Sequence, residues 1–357
     1  MPNPKQISRR NFLKIIAVGA AAGATAKFGF DALTVPEPTT ASRLLMGTVV
    51  NLTVISNDKA AAQAAVEATL NRMAQLEGVL SRFQLQSQLS QLNRNGRFDD
   101  AHPALLNLIG QARQLSDLSG GAFDITVKPL VDLYRQHQAA NSLPPEAEIA
   151  TVLEKVDYRQ IQIAGAQIMF TRPEISITLD GIAKGYIVDE GVTVLRQAGF
   201  GNVMVEAGGD LLASGQKSAG GAWQIGVQSP RKAQPGLLAV LDVQNKAVAT
   251  SGDYIQAFST DLRQHHILDP RTGYSAPELA SATVIAPSAM LADGLATAAM
   301  ILNTATTLDL INGMVDCEAC LITKDLECIN TVTHPPRFSG ESESLGSYHR
   351  TGTPLPV

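Results

Sequence analysis

Apolar positions along the chain fall into two rhythms. Over 59–80 and 102–118 they return every three or four residues, the spacing of a helix that buries one face. The second stretch stops at Ser119-Gly120-Gly121, a glycine exit suited to a helix C-terminus. A third helix is predicted over 181–197, closed by Ala198-Gly199-Phe200-Gly201, and a fourth over 288–302. Residues 45–54 are rich in β-branched side chains and read as a first strand. Short strands with turns follow over 203–206, 211–214, 223–228, 238–243 and 247–250, and 265–268 and 280–286 are expected to continue that sheet. Strands and helices do not alternate in βαβ order, and no internal repeat is visible. The expected fold is therefore α+β, a single layered domain with mixed or antiparallel sheets and packed helices.

The two ends depart from these rhythms. Ser8-Arg9-Arg10-Asn11-Phe12-Leu13-Lys14 precedes the apolar run Ile15 to Ala22 and the small-residue stretch Ala24-Thr25-Ala26. A basic start, a short apolar stretch and a small-x-small end make an export signal over 1–26. The paired arginines followed by Phe-Leu-Lys resemble the twin-arginine motif, whose machinery carries folded proteins. Removing 1–26 takes away Lys5, Arg9, Arg10 and Lys14 and no acid, and makes the bacterial periplasm the expected compartment. No cysteine near the cleavage site offers a lipid anchor. The proline-rich 27–43 reads as a linker, 44–332 as the domain and the polar 333–357 as a loose tail.

Composition narrows the field. With 45% apolar and 17% charged residues the chain is globular rather than disordered. A net charge of −5 argues against a nucleic-acid binder that relies on a basic surface. Three cysteines in 357 residues do not make a disulfide framework. Cys317-Glu318-Ala319-Cys320 has the spacing of a redox or metal pair, but Cys320-Leu321-Ile322 reads as a buried strand in which cysteine packs as a small apolar residue. A pairing of Cys328 across a hairpin stays open in an oxidising space.

Common nucleotide-binding, zinc-protease and serine-hydrolase motifs are absent. What remains are polar residues set among glycines. Asp293 and Thr297 are four apart, so on a helix they share a face. A carboxylate and a hydroxyl are hard oxygen ligands that suit Mg²⁺ better than zinc, although a helix-side hydrogen bond explains the pair equally well. Asp180-Gly181-Ile182-Ala183-Lys184-Gly185 follows the strand-like Ile175-Ser176-Ile177, where helix-start amides and Lys184 suit a phosphate, or where a plain turn leaves a solvated lysine. His265-His266-Ile267-Leu268 runs into the turn Asp269-Pro270-Arg271-Thr272-Gly273 and places a proton carrier, or a structural histidine, at a loop. Gly120-Gly121-Ala122-Phe123-Asp124 lets backbone approach a flat ligand, and Gly208-Gly209-Asp210 reads as a structural turn.

Taken in order, these segments resemble the FAD:protein FMN transferases of the ApbE family. The matching stretches are Met46-Gly47-Thr48, Leu80-Ser81-Arg82-Phe83, Ser90-Gln91-Leu92-Asn93, Gly120 to Asp124, Asp180 to Tyr186, Gly208-Gly209-Asp210, Ala249 to Tyr254, His266 to Gly273, and Asp293-Gly294-Leu295-Ala296-Thr297. They span about 44–329. The resemblance implies Mg²⁺-dependent cleavage of FAD, with FMN passed to a threonine or serine of a partner flavoprotein and AMP released. It implies Asp293, Thr297 and the Gly181 carbonyl as metal ligands. Met46, Phe83, Ala122, Phe123, Asp124, Lys184 and Ile267 are implied to line FAD, and His266 to act as base for the incoming hydroxyl. Two departures stand out: Thr178-Leu179-Asp180-Gly181 occupies a segment often Asp-x-Gly-Gly, and Phe83 replaces a frequent tyrosine. The expected acceptor is a periplasm-facing subunit of a respiratory complex. An FAD pyrophosphatase yielding FMN and AMP, and a non-catalytic flavin-binding assembly factor, are the competing readings.

Overall fold

Two antiparallel strands open the described chain. β1 (Glu37–Leu45) turns at Met46-Gly47 into β2 (Thr48–Ser56), with Leu45 opposite Thr48. Both turn residues have positive φ, 53° and 72°, the geometry whose twist matches a two-residue hairpin. The computed structural model describes residues 36–217, 220–231 and 233–331. The export signal expected over 1–26 and the tail expected over 333–357 lie outside the described residues.

β1 corrects one expectation, because it takes up residues 37–43 of the stretch assigned to the linker 27–43. It is an edge strand with an alternating exposed face, so its polar residues and Pro38 fit there and hide the strand from a hydrophobicity reading.

Helices and strands then follow as α1 (Lys59–Leu80), α2 (Gln88–Asn95), β3 (Arg97–Phe98), α3 (Pro103–Leu118), α4 (Lys128–Ala139), α5 (Glu146–Leu153), β4 (Ile161–Ala164), β5 (Gln167–Phe170) and α6 (Ala183–Gln197). The second half carries β6 (Val203–Ala207), β7 (Asp210–Ser214), β8 (Trp223–Gln228), β9 (Leu237–Val243), β10 (Lys246–Gly252), β11 (Leu279–Ala286), α7 (Ala289–Ala299), α8 (Thr304–Asn312), β12 (Glu318–Thr323) and β13 (Cys328–Asn330).

An eight-stranded antiparallel sheet, ordered β1-β2-β6-β7-β10-β11-β12-β13, forms the centre. α1, α6 and α7 pack on one face and bury the main core, in which Val50, Leu52, Val205, Ala249 and Val284 meet Met73, Val188 and Leu295. The β8–β9 ribbon covers part of the other face, where Trp223, Ile225 and Leu241 pack on Leu211, Ala213 and Val248. That double cover explains why every residue of β7 is buried.

The expected extension of the sheet by 265–268 does not form. His265 and Leu268 make only isolated bridges, to Ala257 and Ser275. The Asp269 carboxylate instead caps its own turn by accepting from the Arg271 N–H at 2.9 Å and bonding the Arg271 guanidinium. Residues 253–276 are therefore a structured loop over the end of the sheet.

Local chemistry sets the helix starts near the site. Ser288 caps α7 by accepting from Leu291 N–H, and Asp189 of α6 accepts from Ala289 and Met290 N–H at 2.7 and 2.9 Å. At Gly185 a Cβ would lie 2.1 Å from the Ala289 carbonyl oxygen, so only glycine admits this approach of α6 and α7.

Candidate active site

The turn Met46-Gly47, the turn Gly208-Gly209 and the end of β10 lie at one end of the central sheet. The registers fix this, since Val50 faces Ala207, Ala207 faces Asp210, and Val248 faces Leu211. A Cβ at Gly208 would meet Thr48 Oγ1 at 2.7 Å, which shows how closely the two turns stack. The start of α6 and the later half of α7, which run in opposite directions, reach that same end, where Thr297 stands beside Gly181 and Ser251.

Asp293, Thr297, Gly181 and Lys184 converge there. Thr297 Oγ1 lies 3.5 Å from the Gly181 carbonyl oxygen and 3.4 Å from Ser251 Oγ at the end of β10. A Cβ at Gly181 would sit 2.9 Å from Thr297 Oγ1 and 3.4 Å from the Phe123 ring. Asp293, only 3% exposed, accepts from Gly185 N–H at 3.1 Å and has the Lys184 ammonium 3.6 Å away. Lys184 also pairs tightly with Asp210, which is 2% exposed.

The charge balance of this cluster is unequal. Two buried carboxylates share one ammonium, so ionising both would leave a net negative charge where water is scarce. Burial, reinforced by Asp210, raises the Asp293 pKa to about 7. Burial likewise raises Asp210, against the pull of Lys184. Burial works against Lys184, but the two carboxylates outweigh it and hold its pKa above the usual lysine range. A hard divalent cation would cancel the surplus charge, and a carboxylate, a hydroxyl and a backbone carbonyl are the oxygen donors Mg²⁺ takes. The residues present therefore fit that ion.

A second set of contacts leads from this cluster to the histidine. The Phe83 ring is 70% exposed, with the Arg82 guanidinium 4.3 Å from its centroid and that of Arg135 5.9 Å away. Arg82 bonds Asp180 at 2.7 Å, next to Gly181. Arg135 bonds the Gln256 side chain at 3.1 Å, and the Gln256 carbonyl accepts from His266 N–H at 2.9 Å. The same carbonyl lies 3.2 Å from His266 Nδ1. With Nδ1 carrying the proton on that carbonyl, Nε2 is left as the acceptor. Burial lowers the His266 pKa to about 4; Asp180 opposes this, and Arg135 and Lys184 assist it.

The remaining expected FAD contacts are placed less directly. Met46, half-buried, stands in its turn at the sheet end, while Ala122, Phe123 and Ile267 are buried in the main core. Asp124 is committed to the protein: it accepts from Thr126 N–H and Oγ1 at 2.7 and 2.6 Å and from Tyr158 N–H at 3.0 Å. It fixes the glycine loop rather than presenting a free carboxylate. A polar cleft of about 430 Å³ opens beside that loop, lined by Gly120, Gly121, Asp124 and Arg271 among others.

Sequence reasoning missed Arg82, Arg135, Ser251 and Gln256 as members of the site, and read Asp210 as part of a structural turn. Asp210, Arg82 and Ser251 lie inside the stretches that carry the family resemblance, which was the available signal; Arg135 and Gln256 had none. His265, by contrast, is structural: it is fully buried, its N–H donates to Ser275 Oγ, and its pKa is lowered to about 4 by burial.

The sequence model of the ApbE family matches residues 46–321. The chain belongs to this family. A twin-arginine translocation pathway signal matches 6–26, so the chain carries an export signal. Among ApbE relatives, the FAD:protein FMN transferase of Vibrio cholerae serotype O1 is 31% identical over 264 residues, 72% of this chain and 79% of the relative. The enzyme of that name from Salmonella typhimurium is 29% identical over 289 residues, 75% of this chain and 82% of the relative.

Solved ApbE structures superpose over nearly their whole length. The flavin transferase ApbE from Vibrio cholerae gives a TM-score of 0.73 at 26% identity, covering 83% of this chain and 98% of that one. An ApbE protein from Thermotoga maritima gives 0.75 at 29% identity with the same coverage. The fold is that of the ApbE family, and the chain is a transferase. No described helix is long and apolar enough to cross a membrane.

Proposed function

We propose that this protein transfers FMN from FAD to a threonine or serine hydroxyl of a partner flavoprotein and releases AMP, with Mg²⁺ bound by Asp293, Thr297 and the Gly181 carbonyl. The observation that carries the reading is the convergence of those three oxygens beside Lys184 and Asp210, where two buried carboxylates share one ammonium. The bound ion supplies charge neutralisation on the pyrophosphate of FAD.

The protein's own groups then have distinct tasks. Lys184, held by Asp210 and Asp293, presents a fixed positive charge to phosphate oxygens without moving toward them. Phe83, exposed and backed by two guanidinium groups, offers a ring face for stacking the flavin. The buried Ala122, Phe123 and Ile267, the committed Asp124 and the Met46 turn shape the walls around that ligand. His266, neutral above about pH 4 and oriented by Gln256, takes the acceptor hydroxyl proton on Nε2 as the hydroxyl oxygen attacks the FMN phosphorus. AMP leaves from the opposite side.

The twin-arginine export signal supports a periplasmic setting for this reaction, and we infer an acceptor on the periplasm-facing part of a respiratory complex. The test mixes the protein lacking 1–26 with FAD, Mg²⁺ and a periplasmic domain bearing an acceptor threonine, and reads flavin fluorescence on a denaturing gel. A fluorescent acceptor band that disappears with Asp293→Ala is expected. AMP and FMN without a band would point to a pyrophosphatase, and neither product to a flavin-binding factor.

A further inference from the structure

Away from the site, two thiols meet. β12 and β13 form an antiparallel hairpin in which Cys320 faces Asn330 and Ile322 faces Cys328. Cys320 and Cys328 are thus diagonal neighbours on one face of the hairpin. Their sulfurs are 3.3 Å apart. Cys320 is buried with Ala280, Ile322 and Leu326, whereas Cys328 is exposed. Cys317 packs into the main core instead, so the fold separates the two members of the Cys317-x-x-Cys320 spacing. A metal is a poor occupant, because no group of three or more His, Cys, Asp or Glu side chains able to hold one is found among the described residues.

We propose that Cys320 and Cys328 are a disulfide site, closed when the folded chain meets a disulfide donor after export. The export signal over 6–26 matters here, since a folded passenger arrives with its hairpin already made and the fold, not chance, selects the pair. Closing the bond requires the sulfurs to approach by about 1.3 Å, within reach of side-chain rotation and a small shear of a short edge hairpin. The exposed Cys328 thiolate attacks one sulfur of the donor and displaces the other as a thiolate. The Cys320 thiolate then attacks the Cys328 sulfur and expels the second donor thiolate. Two protons leave the protein, two electrons pass to the donor disulfide, and the donor ends as two thiols. The hydrogen bond with Cys320 lowers the Cys328 pKa to about 7, which favours Cys328 as the attacking sulfur.

The hairpin is joined to the His266 loop. Lys324, in its turn, donates from its N–H to the Glu278 carbonyl and from its ammonium to the Leu262 carbonyl, both at 3.0 Å. Its ammonium also pairs with the fully buried Asp253, which Arg231 grips with two bonds of 2.7 and 2.9 Å. A bond that pins the hairpin therefore steadies the loop that carries His266.

The full chain, purified reduced, is equilibrated in glutathione buffers from reducing to oxidising, quenched in acid, alkylated, and digested with trypsin and a glutamate-specific protease. Lys324 separates the two cysteines and Glu318 separates Cys317 from Cys320, so a bond appears as a linked peptide pair. The expected result is a Cys320–Cys328 link with Cys317 alkylated, a melting temperature about 5 °C higher, and slower amide exchange over residues 255–266. In urea, where the fold is gone, the three thiols should lose this selectivity. The proposal is overturned if both thiols stay alkylatable in the most oxidising buffer. It is overturned equally if Cys317 joins the link or if glutathione remains on Cys328. Unchanged exchange over 255–266 in the linked form would overturn the bracing of the loop.

Discussion

Asp293 carries two burdens, since it holds the Gly185 amide and also faces a second buried carboxylate across Lys184. Asp293→Asn keeps the shape and removes the surplus charge. Transfer should fall by about 10²–10³-fold, while stability without Mg²⁺ should hold or rise. The increase in melting temperature produced by Mg²⁺ in the wild type should vanish; a D293N variant still stabilised by Mg²⁺ would remove Asp293 from the metal site. His266→Gln should lower transfer by about 10²–10⁴-fold and leave FAD binding intact, measured as flavin fluorescence quenching. Because burial holds the imidazole neutral down to about pH 4, the acid limb of the wild-type rate should fall well below the ordinary histidine value near 6.5. A limb at 6.5 would contradict the desolvation of this half-buried ring. The candidate residues were legible because their types and order resemble a family. Their partners Arg135 and Gln256 were not, because an arginine and a glutamine 121 positions apart reveal nothing until the fold joins them.

At the scale of elements, the site depends on how α6 and α7 cross. Gly185→Ala would force a methyl against a backbone carbonyl, which cannot rotate away. The cost should be about 1–3 kcal/mol, read as a lower denaturant midpoint, together with weaker Mg²⁺ stabilisation as Asp293 and Thr297 move from Gly181. A G185A variant as stable and active as wild type would show that the crossing tolerates spreading. Asp189→Ala, which frees two amides at the start of α7, should cost about 0.5–2 kcal/mol in the same measurement. Helices α1, α3, α6 and α7 were readable from spacing and stops. α2, α4, α5 and α8 were not, since these helices border loops and many of their residues are exposed or half-buried. β1 was hidden by its polar edge face, and 265–268 looked like a strand because a run beside a turn has the same local chemistry whether or not a neighbour pairs with it.

Across the whole molecule, opposing titrations set the pH response. His265 and His266 are held neutral to about pH 4, so their stability contribution is complete above their unfolded value near 6.5 and is lost as pH falls toward 4. Asp189 and Asp293 are raised to about 6 and about 7; the folded chain takes up those protons first and gains stability over the same fall. Asp124, Glu206 and Asp210, also raised by burial, join the carboxylate side, so without Mg²⁺ the denaturant midpoint at pH 5 should be no lower than at pH 7. Saturating Mg²⁺ keeps Asp293 ionised and removes its share, so the midpoint at pH 5 relative to that at pH 7 should then be lower than without the ion. Equal slopes with and without Mg²⁺ would show that the ion does not bind Asp293. By itself, the sequence determined the α+β class, the export signal, the long helices and the candidate ligands, because periodicity, caps and motif order are local properties of the chain. Only the tertiary structure decided that Asp210 shares Lys184 with Asp293, that Asp124 is spent on its own loop, and that Cys320 meets Cys328 rather than Cys317. Those outcomes depend on strand register and on which sheet face each residue takes, and register is fixed by pairing between segments distant in the chain.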